Sequence, residues 1–588
     1  MATLVNALDN FTPKQIGEKG HAEYGWSHNI RERILQFSFQ LTRTDEKKIN
    51  MLSQTLADML REIVYMTQVG SVSVQEVARE YLCILYKMIG HTRDIIDGKG
   101  ECQLTYMMIY TWYTIHPNLA CHALKCLVDL GDPKIHQYGS WKDIKYFCNY
   151  CLSKKCDLSH PLIQHAIMIV NNQLRNDYAT HEWGLNEISL VAKWVPREKS
   201  AKFGNLYQAF ACDYFAVYMA SAHTNASKIK AIIKCKTEYR KLLSTLNHKI
   251  DTLQIKQCGK TWAKIDFQKV TSVSLSKQRK AFLNVNKKGE PRYSDNEDRN
   301  TCAEHFNAHI QKAVKGDIEM KGKRIGLNDF TKQALDLINT SNSITTAFQA
   351  EKDLLNSQWR DNSTQTNSLG KMIAMVDVSG SMDGDPMNAA IALGIRVAEK
   401  SLLGKRVMTF SSTPKWVNLD GANDFVSMVE KIKVADWGMN TNFEAALNMI
   451  LDAIVSAKMT AEDVQDMCLV IFSDMQIDAA DRTNTNTNTM YDMMREKYAA
   501  AGIRVHGKPY KPPHILFWNL RSSNGFPSLS NQPNASMMAG FSPALLNLFC
   551  DQGLEALQSS TPWSLLERSL QNERYLVLET SAREAFQV

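Results

Sequence analysis

Asp377, Ser379 and Ser381 alternate in MIAMVDVSGSMDGDPM (372–387), Thr441 stands in WGMNTNF (437–443), and Asp474 stands in CLVIFSDMQ (468–476). Two carboxylates and three hydroxyls, with no thiol or imidazole, make a hard-donor set that suits Mg²⁺, Mn²⁺ or Ca²⁺ better than zinc. Hydroxyl ligands add no negative charge. A cation held by them stays electron-poor, and an open position could accept a carboxylate or phosphate oxygen from a partner. Ser and Asp are also common helix caps, so any one of these residues alone says little; the agreement of three separated segments carries the inference. An EF-hand is excluded, because Met382 stands where its loop needs glycine and Asn388 where it needs glutamate.

The surrounding pattern says how such residues could meet. From Lys371 the short apolar runs MIAMV (372–376), RVMTF (406–410), CLVIF (468–472) and HILFWNL (514–520) alternate with the amphipathic stretches PMNAAIALGIRVAEKSL, NFEAALNMILDAIVSA and TMYDMMREKYAAAG. Strands without polar alternation, separated by helices, predict a parallel sheet buried on both faces. An α/β doubly wound domain is therefore expected over 371–588. In such a sheet ligands bind at the carboxyl ends of the strands. Asp377 and Asp474 directly follow predicted strands, Thr441 precedes a helix, and Pro386 suits a first helical turn. The run TNTNTNT (483–489) reads as a polar surface loop.

The first part of the chain reads differently. HNIRERILQFSFQL, KINMLSQTLADMLREIVYM, VQEVAREYLCILYKMI and later segments carry apolar residues at three- and four-residue spacings, broken by DGKG, HPN, GDPK and HQYGS. No strict repeat period emerges, and successive helices on short connections fit an irregular α-solenoid over 1–355. Residues 285–330 mix both charges with turn formers and read as a mobile insertion. The polar stretch 356–370 reads as a linker. The 588 residues carry a net charge of +7, yet Lys193–Lys280 alone holds 18 Lys and Arg against 5 Asp and Glu. That block predicts an anionic partner, nucleic acid first, against a merely solvated basic face. No signal-peptide pattern or bilayer-length apolar run is present, and thirteen scattered cysteines suggest a reducing, cytoplasmic compartment. Cys148 and Cys151 form a CxxC near Cys156 without a second pair at zinc-ribbon spacing, so they read as structural.

The arrangement Asp-x-Ser-x-Ser, then Thr before a helix, then Asp after a buried strand resembles the metal-ion-dependent adhesion site (MIDAS) of von Willebrand factor A (VWA) domains. The resemblance implies that Asp377, Ser379, Ser381, Thr441 and Asp474 hold Mg²⁺ (or Mn²⁺ or Ca²⁺) and present it to an acidic group of a protein partner. WGMNTNF departs from the many members that carry a second glycine before the threonine. DVSGSM also resembles the Asp-x-Asp-x-Thr loop of haloacid-dehalogenase phosphatases, but Ser379 stands where the general acid belongs and cannot protonate a leaving group. HTRDIIDGKGE (91–101), YGSWKDI (138–144), ISLVAKWVPREKS (188–200), EYRKLLSTL (238–246) and TWAKIDFQKVTS (261–272) resemble a helical-plus-VWA family, similar in turn to the TROVE module of the Ro ribonucleoprotein autoantigen. That likeness implies RNA binding. Arg93, Lys99, Lys193, Arg197, Lys199, Lys202, Arg240 and Lys241 are candidates for phosphate contacts, and Trp194 for base stacking. The plainer readings are a solenoid-core place for Trp194 and Trp262, and a capping or ion-pair role for Arg93 and Lys99. The expected function is a non-enzymatic, RNA-binding ribonucleoprotein component with a metal-dependent interaction site and no membrane association. The alternatives are a protein–protein scaffold, packaged in a virion of a large DNA virus, and a Mg²⁺-dependent phosphatase.

Overall fold

The computed structural model describes residues 11–185, 187–340, 345–434, 441–478, 488–550 and 559–587. Helices fill its N-terminal part, and a six-stranded mixed sheet organises its C-terminal part. A short antiparallel hairpin near the N-terminus comprises β1 (Lys14–Ile16) and β2 (Ala22–Tyr24). The sheet comprises β3 (Met372–Asp377), β4 (Arg406–Phe410), β5 (Lys415–Asn418), β6 (Cys468–Ser473), β7 (His514–Asn519) and β8 (Ala535–Ala539). Its strand order is β5-β4-β3-β6-β7-β8, parallel throughout except for the antiparallel edge pair β4–β5. The chain winds outward from β3 in one direction and from β6 in the other. The order therefore reverses between these two strands, and their carboxyl ends flank the crevice where open α/β sheets take ligands.

The predicted strands coincide with β3, β4, β6 and β7 to within a residue. Their side chains alternate between two cores. Ala374 and Val376 join the helices Leu327–Thr340, Asp385–Lys400 and Phe425–Lys433, whereas Ile373 and Met375 join the helices Phe443–Ser456 and Met490–His506. Helices on both faces explain why the strands show no alternation of apolar and polar residues. Gly394 lets the helix Asp385–Lys400 approach β3, since a Cβ there would come within 2.5 Å of Val376 Cγ2. Gly394→Ala should gain about 1 kcal/mol of helix propensity and lose more to overpacking, usually about 1–3 kcal/mol. The expected result is a net destabilisation of up to about 2 kcal/mol, read from the urea-unfolding midpoint.

In the N-terminal part successive helices pack on one another: Glu46–Val69 on Val72–Arg93, Cys102–Tyr113 on Pro117–Cys126, Trp141–Ser153 on Pro161–Glu182, and Gly204–Tyr214 on Asn225–Ile250. Cys148 and Cys151 lie inside this core, where burial pushes the Cys148 thiol up to about 12. Trp262 is half-buried, with the Arg299 guanidinium 3.8 Å from its ring.

Three boundaries differ from the sequence reading. Residues 285–330, expected as a mobile insertion, contain the helix Glu297–Lys315, whose Cys302, Phe306 and Ile310 are buried beside Phe267 and Phe282. Residues 356–363, expected as linker, end the helix Thr346–Ser363. Trp359 stacks on Phe425 at 3.9 Å, and Asn362 and Gln358 donate to backbone carbonyls of residues 321–325. Polarity that suggests solvent exposure is here consumed inside a packed layer. The sheet's helical cover thus begins before residue 330 rather than at 371. At the other end, the helix Pro562–Leu570 bridges β8 and the helix Val72–Arg93, and Leu576–Phe586 packs on Val72–Arg93. Residues 483–487 of the Thr-Asn run lie outside the described residues; Thr489 caps the next helix by accepting from Asp492 N–H.

Candidate functional site

Register brings the two candidate carboxylates together. Val376 of β3 pairs with Phe472 of β6, so Asp377 ends one central strand beside the residues that end the other. Both aspartates then fold back as Asx turns: Asp377 Oδ1 accepts from Ser379 N–H at 2.9 Å, and Asp474 Oδ1 accepts from Gln476 N–H at 3.0 Å. Met475 sits at φ 61°, a left-handed conformation that turns the chain sharply after Asp474. Ser473, at the end of β6, donates to Asp377 Oδ2 at 2.6 Å. The Ser379 and Ser381 hydroxyls lie 3.2 Å apart. Thr441 is fixed from behind, its N–H donating to Asp478 Oδ2 at 2.6 Å. Of WGMNTNF, residues 437–440 lie outside the described residues.

Four of the five are removed from solvent: Asp377, Ser379 and Thr441 at 0% exposure and Asp474 at 2%. Burial raises the Asp377 carboxyl well above the ordinary carboxylate range, and the facing Asp474 charge raises it further. Asp474 is likewise raised by burial, partly offset by Gln476 N–H, the Ser381 hydroxyl and the charges of Lys19 and Arg521. Two facing buried carboxylates disfavour their own ionised form and favour whatever cation reaches them.

A cation does reach the hydroxyls beside them, from an unexpected place. Lys19, on the turn between β1 and β2, donates through Nζ to Thr441 Oγ1 at 2.6 Å and to Ser381 Oγ at 3.0 Å. The Arg521 guanidinium caps the Ser381 carbonyl. Nothing in the sequence marked Lys19: a pairing across 362 residues leaves no local trace. The donor set fits a hard divalent ion in kind, being all oxygen, with two of its hydroxyls already on a cation. Among the described residues no group of three or more His, Cys, Asp or Glu side chains is placed to hold a metal.

The candidate nucleic-acid residues divide into two sets. Arg93 and Lys99 are interior. Arg93 forms a two-pronged pair with Asp143, at 2.9 and 2.8 Å, and Lys99 donates to the carbonyls of Ser38 and Leu41. Burial opposes the Asp143 charge, but Arg93 and the Tyr106 hydroxyl more than offset it and hold this carboxyl below its usual range. Neither cation is placed to meet RNA; both satisfy buried partners. Arg197, Lys199, Lys202, Arg240 and Lys241 are exposed, and Lys193 and Trp194 are half-buried. Lys145 and Lys193 lie 5.1 and 5.6 Å from the Trp194 ring. Glu198 joins the two basic segments by pairing with both Lys236 and Arg240, at 3.2 and 3.0 Å. Lys228, Lys230 and Lys234 are also exposed on the helix Asn225–Ile250.

No helix among the described residues is long and apolar enough to cross a membrane. Residues 166–372 match a family model described as a domain of unknown function, DUF2828, and residues 371–580 match another, DUF7788. A protein of Acanthamoeba polyphaga mimivirus, "Uncharacterized protein L728", is 29% identical over 480 residues, which cover 79% of this chain and 76% of that protein. The junction of the two matched segments falls at Lys371–Met372, where β3 begins, so the chain is similar to one such family up to the central strand of its sheet and to another from that strand onward.

Proposed function

We propose that this chain is a non-enzymatic ribonucleoprotein component with two binding surfaces. One is a VWA-like, metal-dependent site at the carboxyl edge of the sheet. The other is a basic, RNA-binding face on a TROVE-like helical solenoid. The observation that carries the reading is the approach of the strand-end carboxylates Asp377 and Asp474 at the topological switch point, beside the Ser379 and Ser381 hydroxyls and with Lys19 on the Ser381 and Thr441 hydroxyls. Mg²⁺, Mn²⁺ or Ca²⁺ held there would offer a coordination position to an acidic group of a protein partner. The residues of this chain do the rest: Ser473 and the Ser379 N–H orient Asp377, Asp478 orients Thr441, and burial keeps competing water away. A phosphatase gains no support, because the position two beyond Asp377 is a serine.

The basic face supports the RNA half of the reading. Arg197, Lys199 and Lys202 are exposed and form no ion pair among the described residues, while Arg240 and Lys241 pair with Glu198 and Glu238 and would exchange those partners for phosphates. Fluorescence anisotropy with single-stranded and hairpin RNA over a salt series tests it. Binding should weaken steeply with salt, and Arg197→Ala/Lys199→Ala/Lys202→Ala should reduce the log–log slope for single strands by about 2, at about 0.7 per phosphate contact. Absence of binding at low salt would remove RNA. The second reading, a cytoplasmic or virion-packaged protein–protein scaffold, would then stand; similarity to a viral protein favours it.

A further inference from the structure

We propose that Lys19 is a built-in occupant of the sheet-edge site, and that a divalent cation binds there only by expelling it. The inference rests on the metal reading above and concerns the regulation of the same site.

The hairpin is seated for this task. Gly17 and Gly20 close its turn through Gly20 N–H to Gly17 O at 3.0 Å and Gly17 N–H to His21 O at 2.8 Å, and Gly20 lies at φ 91°, where a side chain would be strained. Lys19 is thereby held at the tip. The tip rests on the loop that follows β6: Glu18 N–H donates to Gln476 Oε1 at 3.1 Å, and Gly20 bridges to Asp478. The base is anchored by reciprocal Tyr24–Phe526 backbone hydrogen bonds, both 2.9 Å. Asp478 also accepts from Thr441 N–H, and Gln476 N–H donates to Asp474. The residues that seat the hairpin are therefore the residues that orient two candidate ligands.

The exclusion follows from charge and shared atoms. Lys19 Nζ uses the Ser381 and Thr441 hydroxyl oxygens, which are two of the five candidate ligands. A divalent ion on those oxygens would stand within about 4 Å of the ammonium, with strong repulsion in a buried setting. Lys19 alone leaves the two carboxylates one charge short of neutral; a divalent ion balances them. Lys19 has no carboxylate partner at hydrogen-bond distance among the described residues, so its departure breaks only two bonds to neutral hydroxyls. When it leaves, the tip keeps only its contacts to Gln476 and Asp478, and the Ser381 and Thr441 hydroxyls are freed for the ion that a partner's acidic group would meet.

Mn²⁺ titration by calorimetry on the full chain, with hydrogen exchange of residues 17–21, provides the test. Lys19→Met should bind Mn²⁺ about tenfold or more tightly than wild type, because apparent affinity scales with the fraction of open site. Mn²⁺ should also speed exchange at the wild-type tip. Uptake by Lys19→Met should vanish when Asp377→Asn is added. Equal Mn²⁺ affinity in wild type and Lys19→Met would overturn the competition and leave the metal site standing. Uptake that survives Asp377→Asn, or no uptake by either protein, would overturn the metal reading itself.

Discussion

Arg574→Ala should destabilise the protein by about 3–5 kcal/mol, the usual loss when one partner of a buried ion pair is removed. Asp94, at 0% exposure, accepts from Arg574 Nε and Nη2 at 2.7 Å each and from the Tyr575 hydroxyl at 3.2 Å. Tyr138 donates to the Arg574 carbonyl at 2.6 Å, and Lys87 pairs with Glu579 at 2.9 Å. These contacts tie the last two helices to the helix Val72–Arg93 and the turn after it. Removing the guanidinium leaves the Asp94 carboxylate with only the Tyr575 hydroxyl and the Ile96 N–H. Urea unfolding and limited trypsin digestion read the outcome: an earlier midpoint and faster release of the segment after residue 560. Adding Asp94→Asn should recover part of the loss, since it removes the stranded charge along with the pair. If Arg574→Ala unfolds within about 0.5 kcal/mol of wild type, the junction does not hold the C-terminal helices as described.

The contrast between that junction and the sheet shows what a single sequence reveals. β3, β4, β6 and β7 were legible because each is an unbroken apolar run between helical patterns, the mark of a strand covered on both faces. The two flanking strands were not. β5, KWVN, is a short antiparallel edge with half its side chains exposed, and β8, ASMMA, has no β-branched residue to mark it. Asp377, Ser379, Ser381 and Asp474 were legible as strand-end residues because connectivity alone sends parallel strand ends to one edge. Whatever depends on long-range approach left no local signal. Arg93 and Lys99, in a turn rich in Gly and Asp, look like surface cations; only the fold shows the Asp143 carboxylate and the carbonyls that pull them inside. NSQWRDNS looks like linker until Arg396, at 0% exposure, donates to Asn362 and Thr366 and lies 4.5 Å from the Trp359 ring. The same blindness hid Lys19.

Asp377→Asn should act in two opposite directions. In the absence of divalent ions it removes one of two facing carboxylates from a buried site, relieving both desolvation and like-charge repulsion. The amide can keep the local bonds: its oxygen accepts from Ser379 N–H, and its NH₂ donates to Ser473, whose hydroxyl proton is then free to turn. The ion-free variant should therefore be more stable than wild type by about 1–3 kcal/mol, at about 1.4 kcal/mol for each unit by which the carboxyl is raised. With Mn²⁺ the order should invert. Wild type gains about 2.7 kcal/mol at an ion concentration a hundred times its dissociation constant, whereas the variant, lacking a charged ligand, gains almost nothing. Thermal melts with and without Mn²⁺ give both readings from the same samples. A purely structural aspartate, there to cap the turn after β3, would give the reverse of the first result: the amide would melt lower than wild type, and Mn²⁺ would move neither protein. The crossing of the two melting curves thus separates a residue that holds the loop from one that keeps an unfavourable charge buried so that a cation can answer it.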